Sequence, residues 1–273
     1  MTRRILKVLI LAIAVVLISL GLFTRTEHKV NITPRDYQEI KASGVIKAVT
    51  EYNSISYRVA DDTIIGFDYE LINAFARHMG LKAEVTPEMS FDKRLSGITE
   101  GKYDLMATPT LVTSTLKDTI LFSRTMQLSN LILVQRKQMP DADSSTYVGE
   151  LFDLKDKTIH VVKNSPTYLR LNNLMNEIAY EIKIKEIDKY TPEQLVALVA
   201  AGDIDYTVCS EHMAGKLLEQ YDNIDISTKL SFTQFHAWGV NKNAPALLDS
   251  LNLWLDEYIK TKDYKALYKK YFN

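Results

Sequence analysis

A chain of 273 residues, 46% hydrophobic and 25% charged, is long enough to bury one large or two modest cores, and its net charge of −1 leaves no basic footprint for nucleic acid. No low-complexity tract or long single-sign charge run interrupts it, which excludes a disordered class. The single cysteine, Cys209, excludes an intrachain disulfide, and its apolar neighbourhood reads as a buried strand rather than a nucleophile's setting.

At the amino terminus, Arg3 and Arg4 precede a nearly unbroken apolar run from Val8 to Phe23, the pattern of an export signal. The segment Ser19-Leu20-Gly21-Leu22-Phe23 offers no small-x-small cleavage site, and counted back to Ile5 the run reaches the lower edge of what spans a bilayer. Residues 1–25 are therefore expected to be a signal or an uncleaved anchor in the inner membrane, with the rest of the chain on the periplasmic side. Thr33-Pro34-Arg35-Asp36 predicts a short helix from Pro34 to Ala42, closed by Gly44. A strand over Val45 to Thr50 follows. It exits into Glu51 to Tyr57, which is either an ordinary polar turn or, at a strand end of an open α/β sheet, a ligand loop.

From Gly66 to Pro109 the chain reads helix, strand, helix, strand. Phe67, Leu71, Phe75 and Met79 recur at helical spacing and Gly80 supplies the left-handed stop. Leu81 to Val85 is a short strand; Ser90 caps a helix over Phe91 to Glu100; Gly101-Lys102-Tyr103-Asp104 turns into the buried strand Leu105 to Ala107. The same order returns from Thr167: a helix to Ile178, a strand Ile182 to Ile187, a helix from Pro192 with the capping box Thr191/Gln194, and a strand Tyr206 to Cys209 after Gly202-Asp203-Ile204-Asp205. Two copies of one unit imply two similar α/β lobes. Between them, Leu131 to Val134 is continuously apolar and reads as a buried strand leading from one lobe to the other, with a surface loop over residues 138–146. After Glu211 to Tyr221, the alternation of residues 224–240 is the return crossing, and helices over Leu247 to Ile259 and Tyr264 to Tyr271 close the chain. The expected division is lobe one at 31–133 plus 239–273 and lobe two at 134–238.

Strand ends and helix starts on both lobes nominate the site. Tyr52, Ser54, Tyr57, Thr108 and Thr110 come from the first lobe; Asn164, Ser165, Thr167, Ser210 and Glu211 come from the second. The turn Lys163 to Thr167, with Ser165 before Pro166, is either a good helix start or an anion site. The five histidines, His28, His78, His160, His212 and His236, show no metal-ligand spacing, and nucleophile-elbow and phosphate-loop motifs are absent, so neither metal nor cofactor is expected.

The run Gly66-Phe67-Asp68-Tyr69-Glu70-Leu71, the turn Gly101 to Asp104 and a Thr-x-x-x-Lys turn before Phe122-Ser123 resemble the type II periplasmic solute-binding fold of the polar amino-acid-binding family, from Val45 to the end. The closing half, with Tyr221-Asp222-Asn223-Ile224, Ala237-Trp238-Gly239-Val240 and Lys269-Lys270-Tyr271-Phe272, looks most like the non-catalytic regulatory module of the membrane-bound lytic murein transglycosylase F family. The resemblance implies a two-lobed α/β fold with an interlobe cleft and a binding module without the catalytic domain that such enzymes carry. It also implies that an arginine in a Thr-Pro-Glu-Arg turn and an aspartate at the end of the second-lobe strand hold an amino-acid ligand. Here the aligned positions are Leu116, in Thr113-Ser114-Thr115-Leu116, and Ser210. Leucine carries no charge and donates no hydrogen bond, so a free amino acid is disfavoured, and the transglycosylase-like resemblance implies a cell-wall peptide or muropeptide instead. Two alternatives stay open: a receptor delivering a small polar solute to a permease, and an enzyme of the cyclic-acid dehydratase kind. The partners expected are a small-molecule or peptide ligand, the inner membrane, and a permease or cell-wall enzyme.

Overall fold

The computed structural model describes residues 33–138 and 146–272. The expected signal or anchor over residues 1–25, the start of lobe one at Asn31 and most of the 138–146 loop lie outside them. The first helix, α1 (Tyr37–Ser43), begins at Tyr37 rather than Pro34, because Asp36 is its cap: its carboxylate accepts from Tyr37 N at 2.7 Å and Glu39 returns a bond to Asp36 N at 3.2 Å. The same carboxylate accepts from Leu247 N at 2.8 Å, capping a second, distant helix that local sequence could not reveal. Gly44, at φ +71°, ends α1.

Strand β1 (Val45–Thr50) has the expected bounds and leads past the hairpin β2 (Arg58–Ala60) and β3 (Thr63–Ile65) into the first repeat. That repeat is α2 (Phe67–His78), β4 (Lys82–Pro87), α3 (Phe91–Thr99) and β5 (Leu105–Leu111). A short helix α4 (Ser114–Lys117), strands β6 (Ile120–Phe122) and β7 (Gln127–Ser129), and then β8 (Leu131–Arg136) precede the second copy. The second copy runs β9 (Thr158–Val162), α5 (Pro166–Ile178), β10 (Lys183–Ile187), α6 (Pro192–Ala201) and β11 (Tyr206–Ser210). Helix α7 (Glu211–Leu217), β12 (Ile224–Asp225), β13 (Gln234–Asn241), α8 (Pro245–Tyr258) and α9 (Lys262–Phe272) complete the chain.

The repeat is visible in the strand order. One sheet runs β4-β1-β5-β13-β6 and the other β10-β9-β11-β8-β12. In each, three parallel strands of a repeat accept one antiparallel strand from a crossing segment, β13 in the first and β8 in the second. Each repeat also closes its turn with the same ion pair: Asp104 holds Arg35 and Lys47 N in the first, and Asp205 holds Arg136 in the second. Cys209 sits in β11 with its side chain buried, and burial pushes its thiol up to about 12, as befits a packing residue.

The crossings fall elsewhere than the expected cuts at 133/134 and 238/239. Leu131 to Leu133 already ladder with β11, and Gln234 to Trp238 already ladder in the first sheet, so the chain crosses between Ser129 and Leu131 and returns between Leu230 and Gln234. A continuous ladder holds one strand to one sheet, which moves the boundary to the first residue free of it. Leu247, Leu251, Trp254 and Leu255 of α8, with Leu267 and Tyr271 of α9, join the core formed by α2 and the first sheet. Hydrophobic clusters cover both faces of the second sheet.

The start of α2 ties the first core to the loop that leaves β1. Gly66 stands at φ +151°, where an added Cβ would lie 2.3 Å from Ser56 O, so only glycine fits. Two residues on, the fully buried Asp68 accepts a hydrogen bond from Trp238 Nε1 at 2.9 Å, joining the helix to the return strand. Burial drives its carboxyl from 3.8 up to about 7, against the hydrogen bonds from Ser56 and Trp238 that favour the ionised form. A raised carboxyl stabilises the fold fully below pH 3.8 and loses that contribution as pH rises through about 7. Asp68→Asn should remove this dependence: the stability difference between wild type and variant, measured by urea unfolding, should shift by up to about 4 kcal/mol between pH 4 and pH 8. A difference that stays flat would show the carboxyl ionised throughout.

Candidate ligand-binding cleft

The loop leaving β1 is built as a shelf. Asn53 Oδ1 accepts from Ile55 N at 3.0 Å and Ser56 N at 2.6 Å, an Asx-type turn that presents the loop to the opposite lobe. Its amide Nδ2 donates to Glu51 Oε2 at 2.9 Å, and Glu51 Oε1 accepts from Arg94 Nη2 at 2.8 Å. Arg94 Nη1 donates to the carbonyls of Glu88 and Met89 at 2.6 and 3.0 Å, so one guanidinium binds the shelf and the entry to α3 together. The Glu51 and Arg94 side chains are 7% and 5% exposed, respectively.

Facing the shelf are the amino-terminal ends of three second-lobe helices: Ser165, Pro166 and Thr167 of α5, Pro192 of α6, and Ser210 before α7. The crossing strands form the back wall. Gln127 and His236 are cross-strand partners that line the cleft, while the adjacent pair Leu128 and Phe235 is exposed. Phe272, at the end of α9, also reaches the cleft, its ring 5.6 Å from that of His212 in an edge-on contact. Counting the part open to solvent, the cleft holds about 910 Å³.

Among the described residues, beside the hinge contacts of Ser129 Oγ with Glu211 N and His212 Nδ1, two sets of hydrogen bonds cross from lobe to lobe. The Glu193 carboxylate of α6 accepts from Ser54 N at 2.8 Å and Ser54 Oγ at 2.9 Å. Asn164 Nδ2 donates to Asp92 Oδ2 at 2.5 Å, from a residue at φ +54°. These bonds join the two rims of the cleft.

Of the residues nominated from sequence, Thr108, Thr110, Ser165, Thr167 and Ser210 line the cleft together. Ser54 bridges the lobes. Asn164 directs its amide to Asp92, and Tyr57 packs its ring edge-on to Tyr69 at 5.5 Å, beside the half-exposed Tyr52. Glu211 is turned to Lys229 at 2.9 Å and Asn130 at 2.7 Å, and those bonds, Lys229 first, hold its carboxyl below the ordinary glutamate range. Sequence reading passed over Glu51, Arg94, Gln127, His212, His236 and Phe272. Arg94 left a signal: it falls on the apolar stripe of α3 between Phe91 and Ile98, where a charge must find a partner. Both histidines stay neutral through burial, His236 down to about 4 and His212 below its ordinary value.

The architecture is that of solved two-lobed binding proteins. Over 87% of this chain and 100% of the other, it matches holo ArgBP of T. maritima at a TM-score of 0.71 and 22% identity. It matches an amino acid ABC transporter substrate-binding protein, AbpA, of Streptococcus pneumoniae, bound to L-arginine, at 0.72 and 19%, over 86% of this chain and 98% of that one. Among curated proteins it is 26% identical to a membrane-bound lytic murein transglycosylase F of Photobacterium profundum over 242 residues, 87% of this chain and 45% of the relative. The corresponding enzyme of Desulfosudis oleivorans is 28% identical over 236 residues, 86% of this chain and 50% of the relative. The chain thus spans about half the length of the curated relatives it matches. Frame and cleft together define a two-lobed, periplasmic-type binding protein. The chain belongs to the bacterial extracellular solute-binding proteins, family 3, whose model matches residues 45–273.

The Glu193 contact generates a direct test of closure. Glu193→Ala removes both acceptor bonds from Ser54, so small-angle scattering should report a larger radius of gyration than for wild type, and binding of any ligand that requires closure should weaken about tenfold. Identical scattering curves would show that the contact does not hold the lobes.

Proposed function

We propose that this protein is a non-catalytic, extracytoplasmic binding module that takes a cell-wall-derived peptide or muropeptide between its lobes and signals by closing. The observation that carries this reading is the cleft's charge inventory. Its acid and base, Glu51 and Arg94, are bonded to each other within the wall, and its two histidines are neutral. Leu116, aligned with the carboxylate-binding arginine of amino-acid binders, is buried in α4 and does not line the cleft; Ser210, aligned with the amine-binding aspartate, spends its hydroxyl capping α7 at Met213 N. A zwitterion buried there would face no free counter-charge, and the cost of desolvating it would stand uncompensated. The relatives named as murein transglycosylases support a cell-wall ligand.

Against catalysis stands the state of Glu211, the acid nominated from the sequence, which is bonded to Lys229 and Asn130 and held ionised. Hinge closure changes the outer surface, and a membrane-bound permease or cell-wall enzyme that prefers the closed form can read that change. The apolar run Ile5 to Phe23 would tether the module to the periplasmic face of the inner membrane.

Isothermal titration with purified muropeptides and with a panel of free amino acids tests the ligand. Muropeptide should bind, and each amino acid should be at least about tenfold weaker. Tight binding of arginine or glutamine would replace the reading with solute delivery to a permease. Fractionation of cells expressing the full chain should leave it in the inner membrane; a soluble form beginning near Thr24 would remove the tether.

A further inference from the structure

Buried polar side-chain atoms in a folded protein nearly always have partners, and the exceptions point to something that binds them. Among the described residues seven such atoms have none, and four belong to residues lining this one cleft: Arg94 Nε, Thr108 Oγ1, Ser165 Oγ and His236 Nδ1. Arg94 and Thr108 are themselves only 4% and 9% exposed. Their chemistry is specific. The Arg94 Nε–H can only donate, whereas the hydroxyls of Thr108 and Ser165 can donate or accept.

The charges give the second constraint. The Arg94 guanidinium is already paired with Glu51 at 2.8 Å and bonded to two carbonyls, so its Nε–H offers a hydrogen bond with no net charge behind it. Around these atoms the wall is apolar, with Phe91, Val162, Val208, Met213 and Phe272. Such a surface suits a group with one strong acceptor, one donor and no charge.

Resting on the reading of the cleft as the ligand site, we propose that the buried part of the ligand is an uncharged secondary amide whose carbonyl oxygen accepts from Arg94 Nε–H while its N–H donates to a hydroxyl of Thr108 or Ser165. Two sources supply that group: the acetamido substituent of an amino sugar and the bond of a peptide. A zwitterionic amino acid supplies neither.

Calorimetry on the chain with defined probes separates these possibilities. N,N′-diacetylchitobiose represents the acetamido sugar, its de-N-acetylated counterpart is the control, and N-acetyl-alanyl-alanine amide represents the peptide. At least one amide probe should bind, de-N-acetylation should abolish binding of the sugar, and whichever of Ser165→Ala and Thr108→Val removes the accepting hydroxyl should weaken the bound probe by about fivefold to tenfold with the melting temperature preserved. Arg94→Lys keeps a cation opposite Glu51 but lacks the Nε–H and should lose about tenfold or more; if it fails to fold, the two hydroxyl variants carry the test. Failure of both amide probes to bind overturns the proposal, as does binding that all three variants leave unchanged. The cell-wall reading falls separately: intact muropeptide that binds indifferently to the three substitutions removes the amide assignment alone, whereas binding of a free amino acid in place of every cell-wall probe removes both.

Discussion

The buried pair of Glu51 and Arg94 is the constraint on which the binding face rests. Two charges in a desolvated wall are tolerated only when they are paired and hydrogen-bonded, and here the glutamate is held by Arg94 and Asn53 while the arginine grips two carbonyls at the entry to α3. Removing one partner of such a pair leaves an isolated buried charge, a loss on the order of 3–5 kcal/mol. The pair therefore fixes the shelf Glu51 to Ser56 relative to α3 in a single geometry. From that shelf Ser54 reaches the second lobe at Glu193, and Ser56 backs the start of α2 at Gly66. A neutral cleft follows from the same arrangement, since the charges that could have met a ligand are consumed in holding the shelf.

Much of the frame was legible in the sequence because it is written locally. Helix α6 begins as read, at a capping box of Thr191 with Gln194, and stops at a left-handed Gly202, since both signals act within a turn of the residues they cap. Strand β1 also kept its expected bounds. Where a partner comes from far along the chain the reading fails. Asp36 displaces Thr33 as the cap of α1 while also capping α8, and the crossings move because their ladder partners lie in β11 and β5.

The cleft divides the same way. Ser165 and Ser210 announce themselves by standing at a helix start and a strand end of the repeat, and Thr108 by following the expected strand Leu105 to Ala107, although β5 runs on past it to Leu111. His236 and Phe272 belong to the return strand and the final helix, which no pattern in the repeat connects to a ligand. The Thr191 box and the Arg94 mismatch differ instructively: agreement between local and global preference marks scaffold, and disagreement marks the binding wall.

The exchange of crossing strands bears on how the molecule is made. During synthesis from the amino terminus, the first sheet cannot be completed when β5 emerges, because its central antiparallel strand, β13, comes after every strand of the second sheet. The second sheet draws all its strands, β8 to β12, from one contiguous segment, so it can assemble as a unit while the first still exposes one edge of β5. The half of the cleft that carries α5, α6 and α7 is then the earlier to form, and the shelf waits for the last stretch of chain. Helices α1 and α9 both pack into the core of this late-forming body, so a mechanical load applied between them would be borne by the first sheet and leave the inserted one slack.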